Sequence, residues 1–146
     1  MEKEKIQILR IAGNDIQRKE DEVALEYRYN IELKNNRKIS VACTPTYMEE
    51  LALGRRFLLG DLEIGHEDEK AEPVKSIQLK DIFRIAGEMF ERPGTLFRDT
   101  GCAHSCVLIM EGNVLCSMED IGRHNALDKA VGYALKHQIP IPKCAV

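Results

Sequence analysis

The sequence predicts a mixed α/β (α+β) chain, organised as one domain over residues 1–146, and three observations carry that prediction. Residues 22–33 alternate apolar and polar side chains (Val23, Leu25, Tyr27, Tyr29, Ile31, Leu33), the period of a half-buried strand. Residues 79–91 place Ile82, Phe83, Ile85, Ala86, Met89 and Phe90 at helical spacing. Residues 99–132 run as a polar turn, two short apolar stretches around Glu111-Gly112-Asn113, a second polar turn and an amphipathic helix.

The elements follow in order. Ile6, Ile8 and Ile11 suggest a short strand, and Gly13-Asn14-Asp15 a turn. After the strand at 22–33, Asn35-Asn36 reads as a hairpin turn, since Asn tolerates left-handed backbone at low cost, and 38–43 returns as a strand. Thr44-Pro45-Thr46 opens a helix, with Thr46 and Glu49 as a capping box and Gly60 as the stop. Met48, Leu51, Ala52, Leu58 and Leu59 are expected to face inward, and Arg55-Arg56 reads as a solvated face, with an anion contact as the alternative. Residues 61–78 are acidic and broken by glycine and proline, hence a loop. The apolar residues of the next helix read as core, and Arg92-Pro93-Gly94 ends it. In the last helix Leu127, Ala130, Val131, Ala134 and Leu135 form the inward stripe, and Ile139-Pro-Ile-Pro142 stops it.

The totals narrow the functional classes. The 146 residues suffice for one compact domain, with 44% apolar and 31% charged residues. A net charge of −3 implies no general affinity for nucleic acid or anionic membrane. The charged N-terminus is not a secretory signal, and no apolar run approaches the roughly 20 residues that span a bilayer. Five irregularly spaced cysteines (43, 102, 106, 116, 144) then read as reduced thiols in a cytoplasmic protein.

The chemistry concentrates in Asp99-Thr-Gly-Cys-Ala-His104 and in Met118-Glu-Asp-Ile-Gly-Arg-His-Asn-Ala-Leu-Asp-Lys129. Both segments emerge at one end of the predicted hairpin, so Cys102, His104, Glu119, Asp120, Arg123 and His124 could share a site. Free N–H groups at a helix start, together with Arg123, suit a phosphate or pyrophosphate, and Gly101 and Gly122 let a ligand approach the backbone. Glu119 and Asp120 could accept hydrogen bonds from a base or ribose. Alternatively, Asp120 caps the helix and Arg123 pairs with Glu119. Cys102, in a polar glycine turn near His104, is the best candidate for a reactive thiol, and a structural thiol is the simpler reading. Cys102, His104 and Cys106 do not have standard zinc spacing, so no metal site is expected. The H-x-E and P-C-x-x-C motifs of zinc nucleobase deaminases are absent.

The two segments, T-G-C-x-H and E-D-I-G-R-H-N-A-L-D-K, resemble the signature of the formate dehydrogenase accessory sulfurtransferases, the FdhD/NarQ family. A weaker match covers Thr44-Pro45 and Glu49-Glu-Leu-Ala-Leu-Gly54. The resemblance implies a cytidine-deaminase-like sheet with packed helices over residues 79–146, extended by an N-terminal β-hairpin and helix over 1–60. It places Thr100, Gly101, Cys102, His104, Glu119, Asp120, Gly122, Arg123, His124, Asn125, Asp128 and Lys129 on the family's site motifs. It implies binding of the molybdenum guanine dinucleotide cofactor or GDP, with formate dehydrogenase and a cysteine desulfurase as partners. The sequence departs from the family in having no C-x-x-C persulfide loop in the interval 60–78, and no continuation after the last helix. Tyr27-Arg28 also stands where the family usually has a proline. The expectation is therefore an accessory protein that keeps the cofactor pocket, with Cys102 as the candidate thiol if sulfur transfer persists. The alternative is a non-catalytic structural or regulatory partner of a full-length relative. A sheet without its C-terminal strands leaves an open edge, so a homodimer is expected.

Overall fold

The computed structural model describes residues 2–62, 77–91 and 93–146. Strand β1 (Lys3–Ala12) pairs antiparallel with β2 (Asp15–Ala24), and β3 (Tyr27–Glu32) with β4 (Lys38–Cys43). Helix α1 spans Met48–Leu58, α2 Leu79–Glu91 and α3 Thr95–Thr100. Strands β5 (His104–Met110) and β6 (Asn113–Asp120) form a hairpin, helix α4 spans Arg123–Lys136, and β7 (Cys144–Ala145) adds to β5. The third sheet thus has the order β6-β5-β7, and the α/β class holds. Among the described residues, no helix is long and apolar enough to cross a membrane.

The β3–β4 turn follows the expected chemistry, because Asn35 and Asn36 both adopt positive φ (60° and 57°). Its strands pack Ile31 and Cys43 against Leu51 of α1, and Tyr29, Leu33, Ile39, Val41 and Ala52 close over them. Full burial of Leu51 contributes about 2 kcal/mol. Helix α4 lies on β5 and β6 and crosses α1. Its buried face is Ala126, Ala130, Val131 and Ala134, while Leu127 and Leu135 are half-buried.

Several expectations fail for physical reasons. The alternation over 22–33 belongs to two strands, because the chain breaks at Leu25-Glu26 and Val23 pairs back to Glu4 of β1. Strand β2 is charged on both faces and is held by a register that its own sequence does not announce. The Thr46–Glu49 capping box does not form. Helix α1 starts after Tyr47 in left-handed backbone (φ 51°), and the Thr46 hydroxyl donates to Glu2. Leu58 and Leu59 are exposed at the end of α1. Of the α2 residues read as core, Ile85 is buried, whereas Ile82, Phe83 and Phe90 face outward. The six-residue α3 and the two-residue β7 were too short to show a period. Most of the acidic interval 61–78 lies outside the described residues.

Candidate functional site

The register of the β5–β6 hairpin places His104 opposite Asp120. The Thr100-Gly101-Cys102 turn therefore meets the Gly122-Arg123-His124 helix start at one end of the sheet, as the order of elements requires. Beneath that end lies a buried polar network. Asp120 and Lys129 are both fully buried, and their charged groups approach to 2.6 Å. The Asp120 carboxylate also accepts the Thr44 N–H (3.0 Å) and hydroxyl (3.1 Å), the Gly122 N–H (2.9 Å) and the Asn125 amide (2.9 Å). The Lys129 ammonium donates to the Thr44 hydroxyl at 2.7 Å and to the Glu119 carbonyl at 3.2 Å.

A second layer continues outward. The Asn125 amide donates to the Ala42 carbonyl (2.6 Å), and its oxygen accepts from Arg55 (3.1 Å). Arg55 in turn pairs with Asp128, Nε to Oδ2, at 2.6 Å. Arg55 Nε and Asp128 Oδ2 are closed to water and make no further hydrogen bond, so this ion pair is what compensates them, and an uncompensated buried charge would cost several kcal/mol. Burial works to raise the Asp120 pKa. The bonds from Lys129, Asn125 and Gly122 outweigh it and hold the carboxyl below the usual carboxylate range. Burial pushes Asp128 up from its ordinary value, against the pull of the Arg55 guanidinium.

Glu119 turns the other way. Its two carboxylate oxygens accept the Leu96 and Phe97 N–H groups, each at 3.0 Å, and so cap the start of α3. Gly94 makes room for this cap, since a Cβ there would lie 2.1 Å from the Glu119 carboxyl carbon. At the far end of α3 the Thr100 hydroxyl donates to the Leu96 carbonyl (2.7 Å) and accepts from the Cys102 N–H (3.1 Å). Gly101 closes the helix at φ 66°.

The twelve candidate residues thus divide into two groups. Asp120, Asn125, Asp128 and Lys129 are buried and spent on one another, on Thr44 and on Arg55. Glu119 and Thr100 are spent on α3, so neither acidic residue is free to read a base or ribose. Gly122 serves Asn125 more than a ligand, because a Cβ there would sit 2.8 Å from the Asn125 amide nitrogen. Glu119 does not pair with Arg123. Exposed at the surface remain Gly101, Cys102, His104, Arg123 and His124. A Cβ on Gly101 would meet nothing within 4 Å. The first bond into α4 is Ala126 N–H to the Gly122 carbonyl, so the N–H groups of residues 123–125 precede the helical ladder. Two imidazoles, a guanidinium and a helix start on one open face favour an anion. Among the described residues, no group of three His, Cys, Asp or Glu side chains converges as metal ligands.

Sequence reasoning missed Thr44 and Arg55. Thr44-Pro45 lies in the weaker upstream match, which was the available signal. Arg55 gave none, as a paired arginine on a helix looks the same whether solvated or buried. Cys102 is the exposed thiol of the five, and Cys43 is buried. Burial pushes the Cys106 thiol up to about 11, and raises Cys43, Cys116 and Cys144 as well.

The sequence model of the FdhD/NarQ family matches residues 61–146. The chain is 24% identical to a sulfur carrier protein FdhD from Bacillus licheniformis, over 92% of this chain and 70% of the relative. That alignment runs over 185 positions, so the relative carries residues with no counterpart among the 146 here. A protein FdhD from Methanocaldococcus jannaschii is 28% identical over 95% of this chain and 70% of its own length. Identity rises to 42% over a 59-residue stretch shared with a sulfur carrier protein FdhD from Wolinella succinogenes, 40% of this chain and 21% of that one. The fold matches the crystal structure of a Desulfotalea psychrophila protein described as a formate dehydrogenase accessory protein. The TM-score is 0.77 at 24% identity, over 94% of this chain and 69% of that one.

Proposed function

Because the chain belongs to the FdhD/NarQ family, we propose that it is an accessory protein in the maturation of a formate dehydrogenase, and that it binds the diphosphate portion of a guanine dinucleotide cofactor at the exposed end of the β5–β6 hairpin. One observation supports this reading most. The family's polar motif is split, with Asp120, Asn125, Asp128 and Lys129 buried as scaffold, Glu119 capping α3, and the cationic groups Arg123, His124 and His104 left exposed beside the start of α4. Arg123 supplies the fixed charge, the His104 and His124 imidazoles offer ring N–H donors, and Gly101 leaves the backbone free of a side chain beside them. With Glu119 and Asp120 engaged elsewhere, selectivity for guanine has to come from other groups.

The test is calorimetric titration of the full chain with GDP, ADP and inorganic pyrophosphate. All three should bind in saturable fashion, and Arg123→Ala should weaken each about tenfold, the usual scale for loss of one charged hydrogen bond. A folded sample that binds none of them sinks the proposal.

A second role is favoured by the exposure of Cys102 beside this face. Its thiolate can attack the terminal sulfur of a donor persulfide, forming Cys102 persulfide and releasing the donor thiol. A cysteine desulfurase would be the donor and the maturing enzyme the acceptor. Cys102→Ala should keep nucleotide binding and lose persulfide labelling by a thiol-reactive mass tag. Labelling that survives the substitution rejects Cys102 as carrier.

A further inference from the structure

The β1–β2 ladder forms an arm. Each strand has 10 residues, a length of about 30 Å, and among the described residues neither pairs with a third strand. The base of the arm is fixed beside the candidate thiol. Lys3 Nζ bridges Glu22 of β2 and Asp99, which lies in the last turn of α3 just before Cys102.

Charge divides the arm into two halves. Toward the base the cations are matched, Lys3 with Glu22, Lys5 with Glu20 (2.8 Å) and Lys19 with Asp21 (3.1 Å). Toward the tip, Arg10 and Arg18 are exposed and make no ion pair among the described residues, while Asp15 accepts from the Gln17 amide.

The apolar residues concentrate in the same outer half. Leu9, Ile11 and Ile16 are 61%, 68% and 65% exposed. The register sets Leu9 opposite Arg18 and Ile11 opposite Ile16, so by alternation all four stand on one face of the ladder. Lys3 and Glu22, which reach α3, stand at the base of that same face. An aliphatic patch bordered by an unmatched guanidinium fits an apolar surface edged by carboxylates. Such a surface belongs to a protein and not to a bilayer, because the turn beyond the patch is Gly13-Asn14-Asp15, and insertion of the tip would bury its amide and carboxylate first.

We propose that the outer face of the β1–β2 arm docks the formate dehydrogenase that the chain serves, through an apolar, acid-edged patch on that enzyme. The proposal rests on the maturation reading above and adds the surface that holds the enzyme. An enzyme seated there lies on the ladder face whose base meets α3, next to the turn that carries Cys102.

Surface plasmon resonance tests this, with the cofactor-free formate dehydrogenase of the same organism immobilised and the full chain as analyte. The intact chain should bind in saturable fashion, with an association rate that falls as salt rises. Ile11→Asp should weaken binding about tenfold, the scale of one buried aliphatic side chain. The double variant Ile11→Thr, Ile16→Thr keeps strand-forming residues at the cross-strand pair and should weaken binding as much, which separates loss of docking from loss of the hairpin. Arg18→Glu should slow association several-fold. Pyrophosphate titration and thermal unfolding should match the intact chain in every variant. Binding that persists in Ile11→Asp and in the double threonine variant overturns the docking surface and leaves the maturation reading standing, whereas no binding by the intact chain overturns both. Two other outcomes assign the patch elsewhere and overturn the proposal. One is binding to phosphatidylglycerol vesicles that Ile11→Asp abolishes while enzyme binding survives. The other is a dimer in sedimentation velocity that Ile11→Asp dissociates while enzyme binding survives.

Discussion

Gly54 of α1 and Gly132 of α4 meet at one helix crossing with no room for a side chain on either. A Cβ on Gly54 would lie 1.9 Å from the Asp128 carbonyl oxygen, and one on Gly132 would lie 1.8 Å from the Glu50 carbonyl oxygen. The obstacles are backbone atoms, so relief requires the helices to separate. That separation would stretch the Arg55–Asp128 pair and the Lys136 contacts to Glu49 (2.6 Å) and Glu50 (2.9 Å). Gly54→Ala and Gly132→Ala should each destabilise the chain by roughly 3 kcal/mol, at the upper end of overpacking costs. Urea midpoints measure it, and a loss below about 1 kcal/mol would mean the crossing is looser than described.

Asp120 should govern the acid limb of stability. Its carboxyl titrates lower in the folded chain than in the unfolded chain, where it is near 3.9. The stability it contributes is present above that unfolded value and is lost as pH falls through the folded one. Asp120→Asn should therefore cost about 3 kcal/mol at neutral pH, by leaving Lys129 buried without its counter-charge, and should flatten the fall in stability below about pH 4. Asp128, whose carboxyl is raised by burial, has the opposite sign, so Asp128→Asn should steepen that fall. Unfolding curves at stepped pH distinguish the two.

Arg55 and Asp128 should prove strongly coupled. Arg55→Met leaves the Asp128 carboxylate in a site largely closed to water, with an expected loss of about 3 kcal/mol, whereas Asp128→Asn, which mimics the neutral carboxyl that burial favours, should cost less. The double variant removes both and should cost less than the sum by roughly 2 kcal/mol. Additive losses in the cycle would show that Arg55 is anchored through Asn125 alone.

These couplings explain what the sequence could and could not disclose. Alternation, short apolar runs beside turns and helical spacing revealed β1, β3, β4, β5, β6, α1, α2 and α4. Strand β2 shows no such signal, and its pairing with β1 is a property of register that a charged sequence does not display. The stripe of α2 has core periodicity yet faces outward at Phe83 and Phe90, since period reports an apolar face without saying what covers it. At the site, the residue types were legible and their direction was not. Asp120 and Glu119 are neighbours in sequence on one strand, so their side chains leave on opposite faces. One is buried against α4 and the other reaches α3.

That divergence makes Glu119 a positioning residue for the exposed turn. Its carboxylate fixes the first N–H groups of α3, and the last turn of the same helix carries Thr100, whose hydroxyl holds the Cys102 N–H. Glu119→Gln retains one acceptor and loses the charge beside the helix start, so the cap should weaken by about 1 kcal/mol. The buried network around Asp120 and Lys129 should persist, since Lys129 uses the Glu119 carbonyl and not its side chain. Hydrogen exchange should accordingly speed up at Leu96, Phe97 and Cys102, with protection in α4 unchanged. Pyrophosphate affinity should fall only a few-fold, because Arg123 and the start of α4 stay in place. Equal loss of protection in α3 and α4 would show that the two helices open as one unit, and that Glu119 braces the whole hairpin end.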